Sequence, residues 1–237
     1  MTIDMTTAEV AKPRPKTRVR ILDVCKELFN ERGPIAITTA EIAATVGIQE
    51  GNLYYHFNRK EQILEALFAE FDTALRAAVI ADVARSEKPH RYGAYLNDCF
   101  AMMWEWRFFY RDTVDIFSLA PALAPRIGAL IDDIQQQIRR VLDSMVAEGI
   151  LAGSSQQLDQ LVVNALIIST YWMDYLRSRR GILSVKREHV DWGASQVMSL
   201  YLPYLTDKGH ALFNTGLNPA QKLAAMPPIS PTLREQT

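Results

Sequence analysis

The sequence lacks an apolar run long enough to cross a membrane. Its longest, Leu161–Ile168, contains Asn164 and is far shorter than the ~20 residues that a spanning helix needs. The amino terminus, MTIDMTTAEV, carries acidic residues and no apolar core segment, unlike a secretory signal. The sequence therefore predicts a cytoplasmic protein with no membrane partner.

Residues that carry catalysis or bind metals are also scarce. Cys25 and Cys99 are the two cysteines, and their spacing suits neither a metal site nor a redox motif, so we expect buried small hydrophobic side chains. No Ser-His-acid or Cys-His pattern and no glycine-rich phosphate loop is present. The four histidines lie in unrelated contexts: His56, His90, His189 and His210. An enzyme is thus the less favoured class, and no cofactor or metal is predicted.

An excess of either charge is missing as well, since the formal net charge is −1. The segment 10–22 is nevertheless basic without any acid, and Pro13 and Pro15 favour an extended arm before the first helix. Its basic residues are Lys12, Arg14, Lys16, Arg18 and Arg20. Such an arm can follow a phosphate backbone or enter a minor groove, and the alternative is a solubilising tail.

The segment Thr38–Leu64 carries the strongest local signals. Thr38 with Glu41 forms the pattern of a capping box, and Gly47 suits the left-handed residue of a sharp turn. A second short helix is predicted over 49–56, with Leu53 and Phe57 on its buried side. A third begins near residue 58, where an asparagine can act as the cap. Two short helices around a tight turn are typical of a DNA-binding helix-turn-helix.

This pattern resembles the TetR family of transcriptional regulators. The resemblance covers about residues 16–65 and includes the preceding helix with Phe29 and Gly33. The matching positions are Thr39, Ile42, Ala43, Gly47, Gly51, Leu53, Tyr54, His56, Phe57, Lys60 and Leu64. It implies an all-α fold, with a three-helix DNA-binding domain followed by a larger helical domain for effector binding and dimerisation. It also implies a homodimeric regulator, most often a repressor, that a small molecule controls.

Polar side chains of the predicted helix-turn-helix are the candidates for contacts to double-stranded operator DNA. Hydroxyl, imidazole and ammonium groups near helix starts suit phosphates, which indicates Thr39, Tyr54, His56 and Lys60. Asn can pair with adenine, Glu can accept from cytosine and Tyr can contact a thymine methyl, which indicates Asn52, Glu50 and Tyr55 for base edges. Gln49 completes the set. Gln49 and Glu50 depart from the small hydroxyl and basic residues frequent at these positions in the family.

Two later helices predict a dimer interface. The segment 155–180 is apolar nearly all round its middle, so it must be covered on more than one face. The segment 187–205 carries a second apolar stripe that includes Val190 and Val197. Together they can form a four-helix interface between two subunits, and the alternative is that both are the core of one subunit.

Aromatic and methionine residues are concentrated in 100–112, the best candidate for a ligand pocket. Helical spacing places Phe100, Trp104, Phe108 and Arg111 on one side, an apolar wall that ends in a cation. The alternative is an ordinary core, with Arg111 and Asp115 as an i,i+4 ion pair.

Helix boundaries divide the 237 residues into four parts: a basic arm over 1–15, a helix-turn-helix domain over 16–62, an effector-binding and dimerisation domain over 63–205, and a loosely ordered tail over 206–237. Within the second domain we predict helices over 58–84, 127–147, 154–180 and 187–205, and one or two over 92–117. A DNA-binding protein without an effector remains the alternative function.

Overall fold

In the computed structural model, residues 16–79, 91–216 and 225–228 are described, and they form eleven α-helices and no β-strand. The predicted all-α fold is confirmed. Leu151 pairs with Leu205 in an isolated antiparallel bridge.

The amino-terminal head consists of α1 (Thr17–Arg32), α2 (Thr39–Val46) and α3 (Glu50–His56). Thr38 caps α2 by accepting from the Glu41 amide at 3.2 Å, and Gly47 ends that helix with φ 75°. Glu41 itself pairs with Arg32, so the second half of the expected capping box is replaced by an ion pair. Phe29, Ile42 and Leu53 are fully buried in the apolar core of the head.

The remaining helices form the larger domain. They are α4 (Lys60–Val79), α5 (Arg91–Glu105), α6 (Arg107–Arg111), α7 (Thr113–Leu119), α8 (Leu123–Ala147), α9 (Ser155–Arg180), α10 (Glu188–Tyr201) and α11 (Asp207–Gly216), with a 3-10 turn over Leu202–Tyr204. The buried face of α4 joins the core of the head to this domain through Ile63, Leu67 and Phe71. Helix α4 is therefore a structural link between the two parts.

Two sequence-based boundaries need correction. The segment 92–117 forms three helices, because the chain leaves helical geometry at Trp106 and again at Asp112. The tail is not wholly loose: α11 packs its Gly209 so closely that an added Cβ would lie 2.2 Å from the Ile150 carbonyl oxygen. The basic arm over 1–15 lies outside the described residues, as do 80–84 at the end of the predicted fourth helix.

Helices α9 and α10 pack against each other at a glycine. The cap of α9 is the full capping box that the sequence predicts, between Ser154 and Gln157. Farther along, Gly193 of α10 lies directly against the ring of Trp172, which is 3% exposed. A Cβ at position 193 would lie 2.7 Å from the Trp172 Cδ2 atom. The glycine thus sets how closely these two helices approach.

Gly193→Ala is expected to destabilise the protein by ~1–3 kcal/mol, since the added methyl group requires a buried indole to move. Urea unfolding followed by circular dichroism measures this change. Gly128→Ala is the matched control, because it lies in α8 and no atom lies within 4 Å of the added Cβ. The control should gain ~0.5–1 kcal/mol of stability from the better helix former. Equal stabilities of the two variants would refute the packing argument.

Candidate DNA-binding surface and ligand cavity

Helix α3 leaves most of its polar side chains exposed. Leu53 and Phe57 are buried as predicted, which turns Asn52, Tyr54 and Tyr55 outward. The Tyr55 side chain is 85% exposed and its ring meets the edge of the His56 ring, with 5.3 Å between centroids. Most of the surface of this large aromatic side chain is therefore open to a contact with nucleic acid.

Three of the proposed DNA contacts form one hydrogen-bonded cluster. The Thr39 hydroxyl donates to Glu50 Oε1 at 2.8 Å and lies 3.2 Å from the Tyr54 hydroxyl. Tyr54 also donates to the same Glu50 oxygen, at 3.4 Å. The Glu50 carboxylate therefore orients both hydroxyls across the gap between α2 and α3. Either hydroxyl has to exchange this partner before it can donate to a phosphate.

Lys60 is placed differently from the sequence-based expectation. Its ammonium group donates inward, to the carbonyl oxygens of Pro34 at 2.7 Å and Ile37 at 2.6 Å. Partial burial lowers the pKa of this lysine, and the nearby Cys25 acts in the opposite direction. An ammonium has three donors, so two of them serve the loop between α1 and α2. Lys60 is a structural group of the head as well as a candidate phosphate contact.

The described part of the basic segment also packs on the head. The Arg18 guanidinium lies 4.9 Å from the centre of the Phe57 ring, and Arg20 donates to the Val46 carbonyl oxygen. Gln49 occupies the cap position of α3 without a side-chain hydrogen bond to the helix. Lys12 and Arg14 lie outside the described residues.

An exposed apolar ridge runs along α9. Val163, Ile167, Tyr171 and Tyr175 follow one another at four-residue spacing and are 42–59% exposed. Rows of side chains at this spacing are the ridges by which helices pack into one another. The apolar stripe that the sequence predicts on α10 is not exposed like the α9 ridge. Its residues Val190 and Val197 are buried in the core of their own subunit. For those α10 positions the single-subunit alternative is the one that the structure supports.

The larger domain encloses a cavity of about 490 Å³. Its walls are mostly apolar and come from α4 through α10. The lining includes Leu75, Tyr95, Cys99, Phe100, Tyr110, Arg111, Leu130, Ile134, Ala165, Ser169, Asp174 and Tyr201. A cavity of this size and composition suits a small organic ligand.

The structure brings two of the four predicted pocket residues to this cavity. Phe100 and Arg111 line it, whereas Trp104 and Phe108 do not. Trp104 is on a different surface groove, under the Arg107 guanidinium. Phe108 is fully buried against Phe29. Phe108 leaves the predicted face because α5 ends at Glu105 and Phe108 belongs to α6. Trp104 shares α5 with Phe100 and packs beside the same apolar cluster, but it does not line the cavity.

Arg111 also pairs differently from the predicted i,i+4 bridge. It forms a two-pronged ion pair with its neighbour Asp112, at 2.7 Å from Nε and 2.5 Å from Nη2. Its remaining hydrogen bonds reach the end of α1, at the carbonyl oxygens of Asn30 (2.9 Å) and Phe29 (2.7 Å). Carbonyl groups at a helix end lack partners within the helix. Arg111 supplies a donor to the Asn30 carbonyl and a second donor to the Phe29 carbonyl, which also accepts from the Gly33 amide.

Asn30, at the end of α1, also links the head to the larger domain. Its side-chain amide donates to the Glu105 carbonyl oxygen at 2.7 Å and its oxygen accepts from the Phe108 amide at 3.2 Å. These are backbone groups freed by the break between α5 and α6. We name Asn30, Arg111 and Asp112 the joint cluster. Sequence analysis missed Asn30, because asparagine near a helix end ordinarily serves as a cap or faces water.

Comparison with known proteins agrees with this architecture. A model of bacterial regulatory proteins of the tetR family matches residues 21–67, and one of bacterial transcriptional repressors of the same family matches 61–213, more than half of the chain. The chain belongs to the TetR family. It is accordingly a DNA-binding transcriptional regulator.

Individual relatives extend the likeness over most of the chain. The HTH-type transcriptional repressor KstR2 of Mycolicibacterium smegmatis is 28% identical over 163 residues, which are 66% of this chain and 76% of the repressor. A TetR-family regulator of Marinobacter aquaeolei VT8 is 27% identical, with a TM-score of 0.77 over 89% of this chain and all of that chain. The ketosteroid regulator KstR2 of Mycobacterium tuberculosis shares the fold, at 22% identity and a TM-score of 0.58, over 84% of this chain and all of its own.

Residues 16–79, 91–216 and 225–228 contain neither a membrane-spanning helix nor a cluster of metal ligands. No helix there combines the length and hydropathy needed to span a bilayer. No group of three or more His, Cys, Asp and Glu side chains there is arranged to hold a metal ion. Both described cysteines are free thiols.

Proposed function

We propose that this protein is a homodimeric repressor that binds a palindromic operator and is released by a small molecule bound in the cavity. The observation that carries the proposal is the position of the cavity wall. Its residues belong to α4, the link to the head, and to Arg111, whose hydrogen bonds end at α1. A ligand that moves this wall acts on both connections between the domains.

The dimer is formed through the exposed ridge of α9 in this proposal. Four large side chains at helical spacing expose more apolar surface than a scatter of single residues, and such patches mark interaction sites. A second copy of the same ridge satisfies them by two-fold symmetry. The two heads then contact half-sites separated by one or more turns of ~34–36 Å.

At the operator, Tyr55 and Asn52 are the proposed base readers and the hydroxyls of Thr39 and Tyr54 contact phosphates. His56 and the amino end of α4 at Lys60 lie beside them and bind the backbone. Glu50 and Gln49 complete the surface, with Glu50 available to accept from a cytosine amino group once its hydroxyl partners have turned to phosphate.

The operator is released because the ligand binds with different affinities to two arrangements of the heads. A ligand lowers operator affinity only as far as it prefers the spacing that does not fit DNA, typically by ~1–3 kcal/mol. Operator DNA then weakens the ligand by the same factor. A DNA-binding protein without an effector would show no such reciprocity.

Selection of bound sequences from random DNA with the purified full chain tests the proposal. We expect an inverted repeat, because a two-fold dimer presents two equivalent α3 helices. A selected motif without two-fold symmetry would contradict the proposal of a palindromic operator. Ligand titration against free and operator-bound protein by calorimetry then tests release, and equal affinities for both forms would exclude it for that ligand.

Asn52→Ala is expected to cost ~1–3 kcal/mol on the selected site and to relax the preference at one base pair of each half-site. Fluorescence anisotropy on single-substitution DNA variants measures both effects. Lys60→Ala serves as the contrast: it should weaken all sequences alike and also lower the melting temperature, because two carbonyl groups of the head lose their donor. If the Asn52→Ala protein kept the same base preference at every position, Asn52 would not be a base-contacting residue.

A further inference from the structure

Three of the four tyrosines that line the cavity form a cluster with one thiol, and these four residues come from three helices. Tyr95 and Cys99 come from α5, Tyr110 from α6 and Tyr201 from the end of α10. Burial is the larger cause that raises the pKa of each of the three phenols, and the neighbouring Cys99 thiol acts in the same direction on all three. We name these four residues the tyrosine cluster. It is a concentration of polar groups in a wall that is otherwise largely apolar.

All four groups of the cluster remain uncharged at neutral pH. Burial raises the pKa of each phenol above its ordinary value, and it raises the pKa of the Cys99 thiol to about 12. A neutral phenol is a hydrogen-bond donor and a weak acceptor. The cluster therefore offers O–H donors without charge.

Tyr95 lacks a hydrogen-bond acceptor of normal strength. Its hydroxyl oxygen is buried, and no hydrogen bond of ordinary geometry reaches it from the part of the chain that the structure describes. The neighbouring Cys99 thiol interacts with it, but sulfur is a weak partner. Buried polar groups are almost always paired in folded proteins, so an unpaired phenol on a cavity wall indicates a partner in the cavity.

The charged groups of the wall do not favour an ionic ligand. Arg111 is neutralised by Asp112, and its donors serve that carboxylate and the end of α1. Asp174 is 46% exposed and has Arg177 at 3.8 Å. A buried ion in the cavity would thus lack a free counter-charge beside the tyrosine cluster, which is unfavourable.

We infer that the cavity binds a neutral, largely apolar molecule whose hydrogen-bond-accepting oxygen, such as a ketone or ester carbonyl, docks on the Tyr95 hydroxyl within the tyrosine cluster. This inference rests on the proposed function, in that the cavity is taken as the effector site. It adds the chemical class of the effector and the residue that recognises its polar end.

Calorimetric titration of the full chain with three probes of equal chain length tests the inference. The probes are 2-decanone, decanoate and decylamine, at pH 7.5 and without DNA. We expect 2-decanone to bind at least about ten-fold more tightly than either ion, because an unpaired charge is costly in the cavity. Tighter binding of decanoate, tighter binding of decylamine, or no binding by any probe would overturn the inference.

A pair of tyrosine variants tests the assigned residue. Tyr95→Phe should weaken 2-decanone about three- to ten-fold, the effect of one lost hydrogen bond, and should leave the melting temperature unchanged or raised because the removed hydroxyl is unpaired. Tyr204→Phe is the matched control, since its ring packs at Gly153 outside the cavity, and it should bind as the parent does. A Tyr95→Phe protein with unchanged affinity for 2-decanone would contradict the assignment.

The same probes on protein bound to its selected DNA separate this inference from the proposed release. Tyr95-dependent binding of 2-decanone with no loss of DNA affinity would support the ligand class and refute release by such ligands. If a probe released DNA but bound the parent and the Tyr95→Phe protein equally well, the result would support release by a ligand and refute the assignment of Tyr95 as its hydrogen-bond donor.

Discussion

Ile167→Asp is expected to convert the protein into a folded monomer that binds operator DNA at least about a hundred-fold more weakly. Ile167 is 51% exposed at the middle of the α9 ridge. In the proposed dimer a carboxylate there meets its own copy across the two-fold axis, where burial without a partner costs several kcal/mol. Loss of the second head removes the gain from bivalent binding, which reaches ~10²–10⁴. Analytical ultracentrifugation and anisotropy measure the two effects.

The control for this substitution is Ile35→Asp in the loop between α1 and α2 of the head, where the isoleucine is 56% exposed and lies outside the larger domain. It should remain dimeric. Ala165→Asp and Val197→Asp do not test the interface, because both side chains are buried within one subunit and the charge would disrupt its core. A dimer that survives Ile167→Asp at micromolar concentration would exclude the ridge as the interface.

Arg111→Ala should destabilise the protein by ~3–5 kcal/mol, which is a large part of the stability of a typical domain. The substitution leaves the Asp112 carboxylate, 10% exposed, without its cation and removes the donors at the end of α1. Urea unfolding at neutral pH measures the loss. Because the same bonds join the cavity wall to the head, the coupling between ligand and operator should also fall.

Two comparisons isolate the role of Arg111. Adding Asp112→Asn to Arg111→Ala should restore part of the stability, since the unpaired charge is removed, with a coupling energy of ~0.5–3 kcal/mol between the two sites. Arg139→Ala removes an arginine that pairs with the exposed Asp143 and Asp159, and it should cost at most ~1 kcal/mol. Similar losses of stability in Arg111→Ala and Arg139→Ala would show that the joint cluster contributes no more to stability than an exposed ion pair.

The sequence by itself determined the fold class, the family and most helix boundaries. Capping at Thr38 and Ser154 and the left-handed Gly47 are local interactions, made by residues close together in the chain. Apolar spacing likewise determined which sides of α2 and α3 are buried. Such signals depend on a few neighbouring residues, so they can be read before the tertiary structure is known.

Only the tertiary structure decided which residues share a site. Helical spacing placed Phe108 beside Phe100, but the break at Trp106 puts the two residues on separate helices, and Trp104, although it shares α5 with Phe100, does not line the cavity. Lys60 bonds to carbonyl groups 23 and 26 residues away, and Arg111 to groups 81 and 82 residues away. The tyrosine cluster likewise joins α5, α6 and α10. Periodicity describes one helix at a time, whereas these contacts depend on how separate helices pack.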